Sequence, residues 1–158
     1  MKTDYSNVPA RHGYYIAGFT DGEGSFNVSL KHREDYAGKW KLTASFNVSQ
    51  KDRVILAFLK KVIGCGTLRE RGDGVVYYEV TNPSALQESV IPFFERFPFL
   101  SANKKRNFAI FKKIVHLMYT KAHLTDSGFR EILLLRETLN AGIGRKRKYT
   151  LEDAVSTS

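Results

Sequence analysis

The chain has 158 residues, 42% of them hydrophobic and 13% aromatic, a composition that excludes a disordered polypeptide and suits one domain with a sizeable core. Twenty-five Lys and Arg against 16 Asp and Glu give a net charge of +9 and a pI near 9.7, which points to a polyanionic partner, nucleic acid first. The lone Cys65 excludes an internal disulfide or a cysteine zinc site, and His12, His32, His116 and His123 lack metal-ligand spacing. No run suits a membrane span and Met1 to Asn7 lacks a signal core, so the expectation is an intracellular chain without a membrane partner.

A helix capped by Ser6 or Asn7, with Pro9 in its first turn, is predicted to run to about Thr20. Tyr15, Ile16 and Phe19 fit its apolar face, and Gly18 and Gly22 allow another backbone to approach closely. The stretch Asp21-Gly-Glu-Gly24 then reads either as a carboxylate-bearing metal site or as an ordinary turn.

From Ser25 the period becomes two. Phe26, Val28 and Leu30 face a core, while Ser25, Asn27, Ser29, Lys31 and Arg33 face the other way. After a loop containing Asp35, Tyr36 and Gly38 the alternation resumes, with Leu42, Ala44, Phe46 and Val48 inward and Lys41, Thr43, Ser45 and Asn47 outward. Lys51 to Ile63 reads as a helix burying Ile55, Phe58, Leu59 and Val62 and ending at Gly64. A second hairpin pairs Thr67 to Arg71 with Val75 to Thr81 across Gly72-Asp-Gly74, placing Arg69, Arg71, Tyr77 and Glu79 outward and Leu68, Tyr78 and Val80 inward.

Asn82-Pro-Ser84 starts a helical segment reaching about Phe97, with an interruption near Pro92, and Phe93, Phe94, Phe97 and Phe99 belong to the core. Ala102 to Tyr119 is a long helix with Phe108, Phe111, Val115 and Met118 on one stripe and a Lys-rich start. Thr125 or Asp126 caps a helix through Asn140, with Gly142 beyond it. The basic run Arg145, Lys146, Arg147 and Lys148 precedes a short helix from Thr150. The chain is therefore expected to be one domain over 1–158, with its core over about 8–142 and a basic extension over 143–158.

The polar hairpin faces carry side chains able to read donors and acceptors on base edges, and a two-stranded ribbon fits the major groove. The alternative is a solvated sheet face. Phosphodiester hydrolysis needs compensation of phosphoryl charge and a positioned water, both within reach of carboxylate-held Mg²⁺. One carboxylate is a poor cage, so pairing two copies through the motif helix would bring two carboxylates together. Gln50, Lys51, Arg53, Lys104 and Lys105 are candidates for orienting water and stabilising the transition state.

These residues resemble the LAGLIDADG homing endonuclease family, whose motif is matched by Ile16-Ala-Gly-Phe-Thr-Asp-Gly-Glu-Gly24. The likeness extends over Phe46-Asn-Val-Ser-Gln-Lys51, Ile63-Gly-Cys-Gly66, Arg69-Glu-Arg-Gly-Asp-Gly74 and the Lys-rich helix near Lys104. The resemblance implies an α+β fold of αββαββα order, with a four-stranded antiparallel DNA-binding saddle and additional C-terminal helices. It implies a single-motif, intron-encoded homodimer that makes a double-strand break in a long, partly palindromic DNA site. The dimer interface would use Ala17, Gly18, Asp21 and Gly22.

The resemblance also assigns Glu23 as the Mg²⁺ ligand, where familiar spellings have Asp, with the Gly22 carbonyl as a possible further ligand and Asp21 mainly structural. Other divalent cations such as Mn²⁺ can substitute. Gln50 orders water, Arg53 and Lys104 complete the catalytic set, and Lys105 or Asn103 compete with Lys104 for the lysine position. Arg145 to Lys148 would meet phosphates. An organelle or a prokaryotic cytoplasm is the expected compartment. A maturase acting on intron RNA, or a DNA-binding regulator without cleavage, is the competing class.

Overall fold

The computed structural model describes residues 1–36, 38–141 and 149–156. In chain order the elements are α1 (Ala10–Glu23), β1 (Gly24–His32), β2 (Trp40–Gln50), α2 (Arg53–Ile63), β3 (Thr67–Glu70) and β4 (Val76–Val80). A helical run follows as α3 (Pro83–Ala85), a π-turn (Leu86–Val90) and α4 (Ile91–Arg96). Then come α5 (Ala102–Tyr119), a 3-10 turn (Ala122–Leu124), α6 (Asp126–Thr138) and α7 (Leu151–Ser156). The strands form one antiparallel sheet in the order β1-β2-β4-β3. This is the expected α+β architecture.

The period-two pattern sets the two sheet faces. Phe26, Val28, Leu30, Ala44, Phe46, Val48, Val76, Tyr78 and Val80 are buried beneath the helices, while the intervening residues remain half-buried or exposed. Phe26 stacks on Phe46 at 5.2 Å between ring centres and lies 4.9 Å from Phe111, and Phe94 stacks on Phe99 at 4.6 Å. The aromatics of the Pro92 region are thus core, each contributing about 1.5–3 kcal/mol by burial. A second cluster, Leu30, Trp40, Leu133 and Ala154, fixes α6 and α7 against the far end of the β1–β2 hairpin.

Several boundaries depart from the sequence expectation. The first helix does not stop at Thr20: it continues through Asp21, Gly22 and Glu23 and passes directly into β1, with the Gly24 N–H bonded to the Thr20 carbonyl. A Cβ at residue 24 would lie 2.6 Å from Thr20 Cγ2, so only glycine fits this junction. The helix starts after Pro9 without a side-chain cap from Ser6 or Asn7.

The second helix begins at Arg53 because Asp52 caps it, accepting the Val54 N–H at 2.9 Å, and Leu56, Leu59 and Ile63 are its buried residues. Gly64 ends it at φ 89°, the left-handed region. Pro92 is absorbed by the π-turn before it, and the Glu88 carbonyl, which an amide at position 92 would have bonded, accepts the Thr3 N–H at 2.7 Å. The sixth helix ends at Thr138, and Asn140 takes φ 58°. Among the described residues no helix is long and apolar enough to cross a membrane.

Candidate active site and nucleic-acid face

The last turn of α1 and the first turn of α5 meet at one corner of the sheet. Ser101 caps α5, its hydroxyl oxygen accepting the Lys104 N–H at 3.2 Å. That hydroxyl donates to Asp21 Oδ1 at 2.5 Å, and the Leu100 and Ser101 N–H groups donate to Asp21 Oδ2 at 3.1 and 3.0 Å. Burial pushes the Asp21 carboxyl up, but the Ser101 and Leu100 hydrogen bonds and the Lys104 charge outweigh it, leaving the pKa below 3.8. Asp21 is consumed in holding two helices together.

Glu23 differs. It is exposed, and its carboxylate has no hydrogen bond or ion pair among the described residues. It lies at the negative end of the α1 dipole, in a last turn that contains no basic residue and whose carbonyls beyond Thr20, Gly22 included, lie past the last α-helical donor. The Lys104 ammonium donates to the Gly24 carbonyl, one residue beyond Glu23. Burial lowers the Lys104 pKa and Asp21 pulls it only partly back. Lys105 lies elsewhere, in a groove with Phe94, Glu95 and Phe108, and Asn103 accepts from Arg106 at 2.8 Å.

The sheet register brings a third group to this corner. Gly24 pairs with Val48, so β2 continues two residues past the start of β1 and ends with Gln50 beside the last turn of α1. Gln50 Oε1 accepts the Lys51 N–H at 3.0 Å, which fixes the amide group. Gln50 pairs with Val76, and Val76 with Glu70, which lies 4.0 Å from Arg53. Arg53 is exposed at the start of α2 and oriented toward β3.

Oxygen donors at an electronegative helix end suit a hard divalent cation. Among the described residues no group of three His, Cys, Asp or Glu side chains could enclose one. Glu23 and the Gly22 carbonyl offer two oxygen donors at this corner, fewer than the roughly six such a cation takes.

The open sheet face collects the residues expected on it. Ser25, Asn27, Ser29 and Lys31 pair across β1 and β2 with Asn47, Ser45, Thr43 and Lys41. Ser25 Oγ donates to Asn47 Oδ1 at 2.6 Å and Asn27 Nδ2 donates to Ser25 Oγ at 2.9 Å, ordering the part of this face nearest Glu23. Arg69, Tyr77 and Glu79 extend it across β3 and β4, and Ser49 and Thr67, not singled out in the sequence, share it by the same alternation that marks Asn47 and Arg69.

Two of the residues expected to contact DNA from the strands lie outside them. Arg33 follows β1 and is clamped by Asp35 through two 2.9 Å hydrogen bonds; Arg71 follows β3, 3.4 Å from Asp73 and over the Tyr77 ring at 4.4 Å. Arg145, Lys146, Arg147, Lys148 and Gly142 lie outside the described residues.

The expected association surface is also revised. Ala17 is 4% exposed and part of this chain's own core, as is Ile16. The outward stripe of α1 is Arg11, Tyr14, Tyr15, Gly18 and Gly22, with Tyr14 and Tyr15 more than half exposed. A Cβ added at Gly18 or Gly22 meets nothing within 4 Å, whereas one at Gly13 would strike the Phe97 ring at 2.3 Å.

Fold and site together define an α+β protein with a polar, basic-rimmed sheet face and a cation-suited acidic corner at one end. The chain belongs to the LAGLIDADG endonuclease family, which it matches over residues 16–115. It is 33% identical over 138 residues to the probable intron-encoded endonuclease 2 of Neurospora crassa, covering 85% of this chain and 30% of that protein. The chain thus spans under a third of that relative's length. The archaeal intron-encoded homing endonuclease I-Vdi141I, solved in complex with DNA, superposes with a TM-score of 0.84 at 31% identity, covering 93% of each chain. The I-SmaMI structure, bound to uncleaved DNA in the presence of calcium ions, gives 0.77 at 31% identity, covering 84% of this chain and 46% of that one.

Proposed function

We propose that this chain is an intron-encoded, site-specific DNA endonuclease that works as a homodimer with Mg²⁺. The observation that carries this reading is the division of labour between two acids of one helix turn. Asp21 is saturated by hydrogen bonds, while Glu23 is left open beside Lys104 and Gln50. Family membership and the DNA-bound relatives support it.

A Mg²⁺ ion held by Glu23 and the Gly22 carbonyl would offset charge on the phosphoryl oxygens and lower the pKa of a water. Lys104, already spending one N–H on Gly24, has two left to face a phosphoryl oxygen. The Gln50 amide nitrogen could hold a water for attack, because its oxygen is anchored on the Lys51 N–H. Arg53, only loosely paired with Glu70, can turn to the phosphate. The water oxygen would bond phosphorus as the P–O bond to one deoxyribose oxygen breaks, the attacking water giving up a proton to solvent and the departing alkoxide taking one from it.

Ser25, Asn27, Ser29, Thr43, Ser45, Asn47, Tyr77 and Glu79 are suited to base edges, and Lys31, Lys41 and Arg69 to phosphates. The exposed α1 stripe supports a two-fold contact that would place a second Glu23 nearby. The decisive experiment is Glu23→Gln. It should abolish Mg²⁺-dependent cleavage of a selected duplex while leaving specific binding near wild type; undiminished cleavage would remove Glu23 from the site.

A further inference from the structure

Glu79 sits in the middle of a surface otherwise built for an anionic duplex. On the open face of the sheet, the described strand residues are Ser25, Asn27, Ser29 and Lys31, then Lys41, Thr43, Ser45, Asn47 and Ser49, then Thr67 and Arg69, and finally Tyr77 and Glu79. Glu79 is the one carboxylate among them. The other acid of these strands, Glu70, is opposite in parity and faces Arg53. Register places Glu79 between Asn47 of β2 and Thr67 of β3. Its carboxylate nevertheless has no hydrogen bond or ion pair among the described residues, and the neighbouring Asn47 amide nitrogen, which could donate to it, is directed instead to Ser45 Oγ at 3.4 Å.

A half-buried, unpartnered carboxylate on a phosphate-binding face weakens every nonspecific contact. It is useful there only against a donor. The major-groove edge of duplex DNA offers two, cytosine N4 and adenine N6, and adenine presents its N7 acceptor alongside, which would repel the second carboxylate oxygen.

We infer that Glu79 is a specificity-determining residue that accepts a hydrogen bond from the N4 amino group of a cytosine in the inner part of each half-site. This rests on the endonuclease reading above and deepens it. The position follows from the register: Ser25, Asn47 and Glu79 lie in one row across the sheet, and Ser25 is two residues from Glu23. Two strand spacings put Glu79 about 10 Å from Ser25. The outer bases face instead the far ends of the strands, Lys31 and Lys41.

The test is selection of bound sites from a random duplex DNA library, run with the wild-type chain, Glu79→Gln and Glu79→Ala. Wild type should prefer cytosine at one inner position per half-site by roughly ten-fold, the scale of one good base contact. Glu79→Gln should move that preference to adenine, whose N6 and N7 match a carboxamide, and Glu79→Ala should flatten it, with other positions unchanged. Identical profiles for all three proteins would overturn the inference, as would a uniform gain of affinity across sequences, which marks a purely electrostatic role. A wild-type chain that selects no duplex at all would instead overturn the endonuclease reading.

Discussion

The Ser101 hydroxyl donates to Asp21 Oδ1 at 2.5 Å, joining the cap of one helix to the last turn of another 80 residues earlier. The bond explains why the Gly-spaced acidic stretch stays helical, because Asp21 holds the final turn in place from outside. It also sets Lys104, whose N–H is bound by the same Ser101 oxygen. Ser101→Ala is expected to destabilise the fold by about 1–3 kcal/mol, the cost of stranding a charged acceptor. It should reduce the cleavage rate more than DNA affinity, since Lys104 loses its register against Gly24. Thermal melting alongside single-turnover cleavage and binding titrations checks both parts.

Adjacent lysines of α5 should behave differently. Lys104 reaches the Gly24 carbonyl and Lys105 lies against Phe94 and Phe108 in another groove. Lys104→Ala is expected to slow cleavage by about 10²-fold or more, as loss of one electrostatic stabiliser does. Lys105→Ala should leave the cleavage rate within about two-fold, and its affinity change should vanish at high salt, as for a peripheral charge. Single-turnover rates at saturating protein separate the two.

Much of this was readable from residue order. Alternation assigned Ser25 to Lys31 and Lys41 to Asn47 to the correct face because a pleated strand has no other period. The end of α1 was not readable. Locally, Asp-Gly-Glu-Gly favours a turn, and the group that overrides it, Ser101, is remote in sequence though identifiable as a helix cap. Neither was the burial of Ala17, since apolar residues lie on more than one side of this helix and the side that joins the core is settled only by tertiary packing. Lys104 and Lys105 differ by about 100° around a helix, which no pattern of charges resolves. Arg33 and Arg71 carried a local signal in the Arg-x-Asp spacing of Asp35 and Asp73, which draws both guanidiniums into turns.

Alkaline stability should report Tyr5. Its hydroxyl donates to the Ile63 carbonyl and its ring meets Phe93 edge-on at 5.0 Å. Burial pushes the phenol from its ordinary 10.0 up to about 12. The neutral form is the one the fold prefers, so this contribution is intact below pH 10 and is lost as pH rises from 10 through 12. The loss is on the order of 2 kcal/mol. Denaturant titrations across that window should show a shallower decline for Tyr5→Phe, which starts about 1 kcal/mol less stable for want of the hydrogen bond.

The edge strand β1 depends on α6 and the residues just after it for part of its hydrogen bonding. Arg136 Nε donates to the Val28 carbonyl and Asn140 Nδ2 to the Phe26 carbonyl, each at 2.8 Å, two residues apart on the same side of the strand. Both donors hold the β1–β2 hairpin against the helices from its outer edge. Arg136→Leu and Asn140→Ala are each expected to cost about 1–3 kcal/mol. Faster amide hydrogen exchange should appear in β1 and spare the β3–β4 hairpin.

Two glycines of α1 should respond oppositely to the same change. At Gly13 a Cβ would lie 2.3 Å from the Phe97 ring, so Gly13→Ala must displace a buried aromatic and is expected to destabilise the chain by about 1–3 kcal/mol. At Gly18 a Cβ meets nothing within 4 Å, although glycine inside a helix costs about 1 kcal/mol against alanine. Nothing within the described chain requires that glycine, and the two-fold contact proposed for this stripe does. Gly18→Leu should therefore leave the far-ultraviolet spectrum intact while shifting sedimentation toward monomer and abolishing double-strand cleavage. A variant that remains dimeric would move the interface off the Gly18–Gly22 stripe, and with it the pairing of two Glu23 carboxylates.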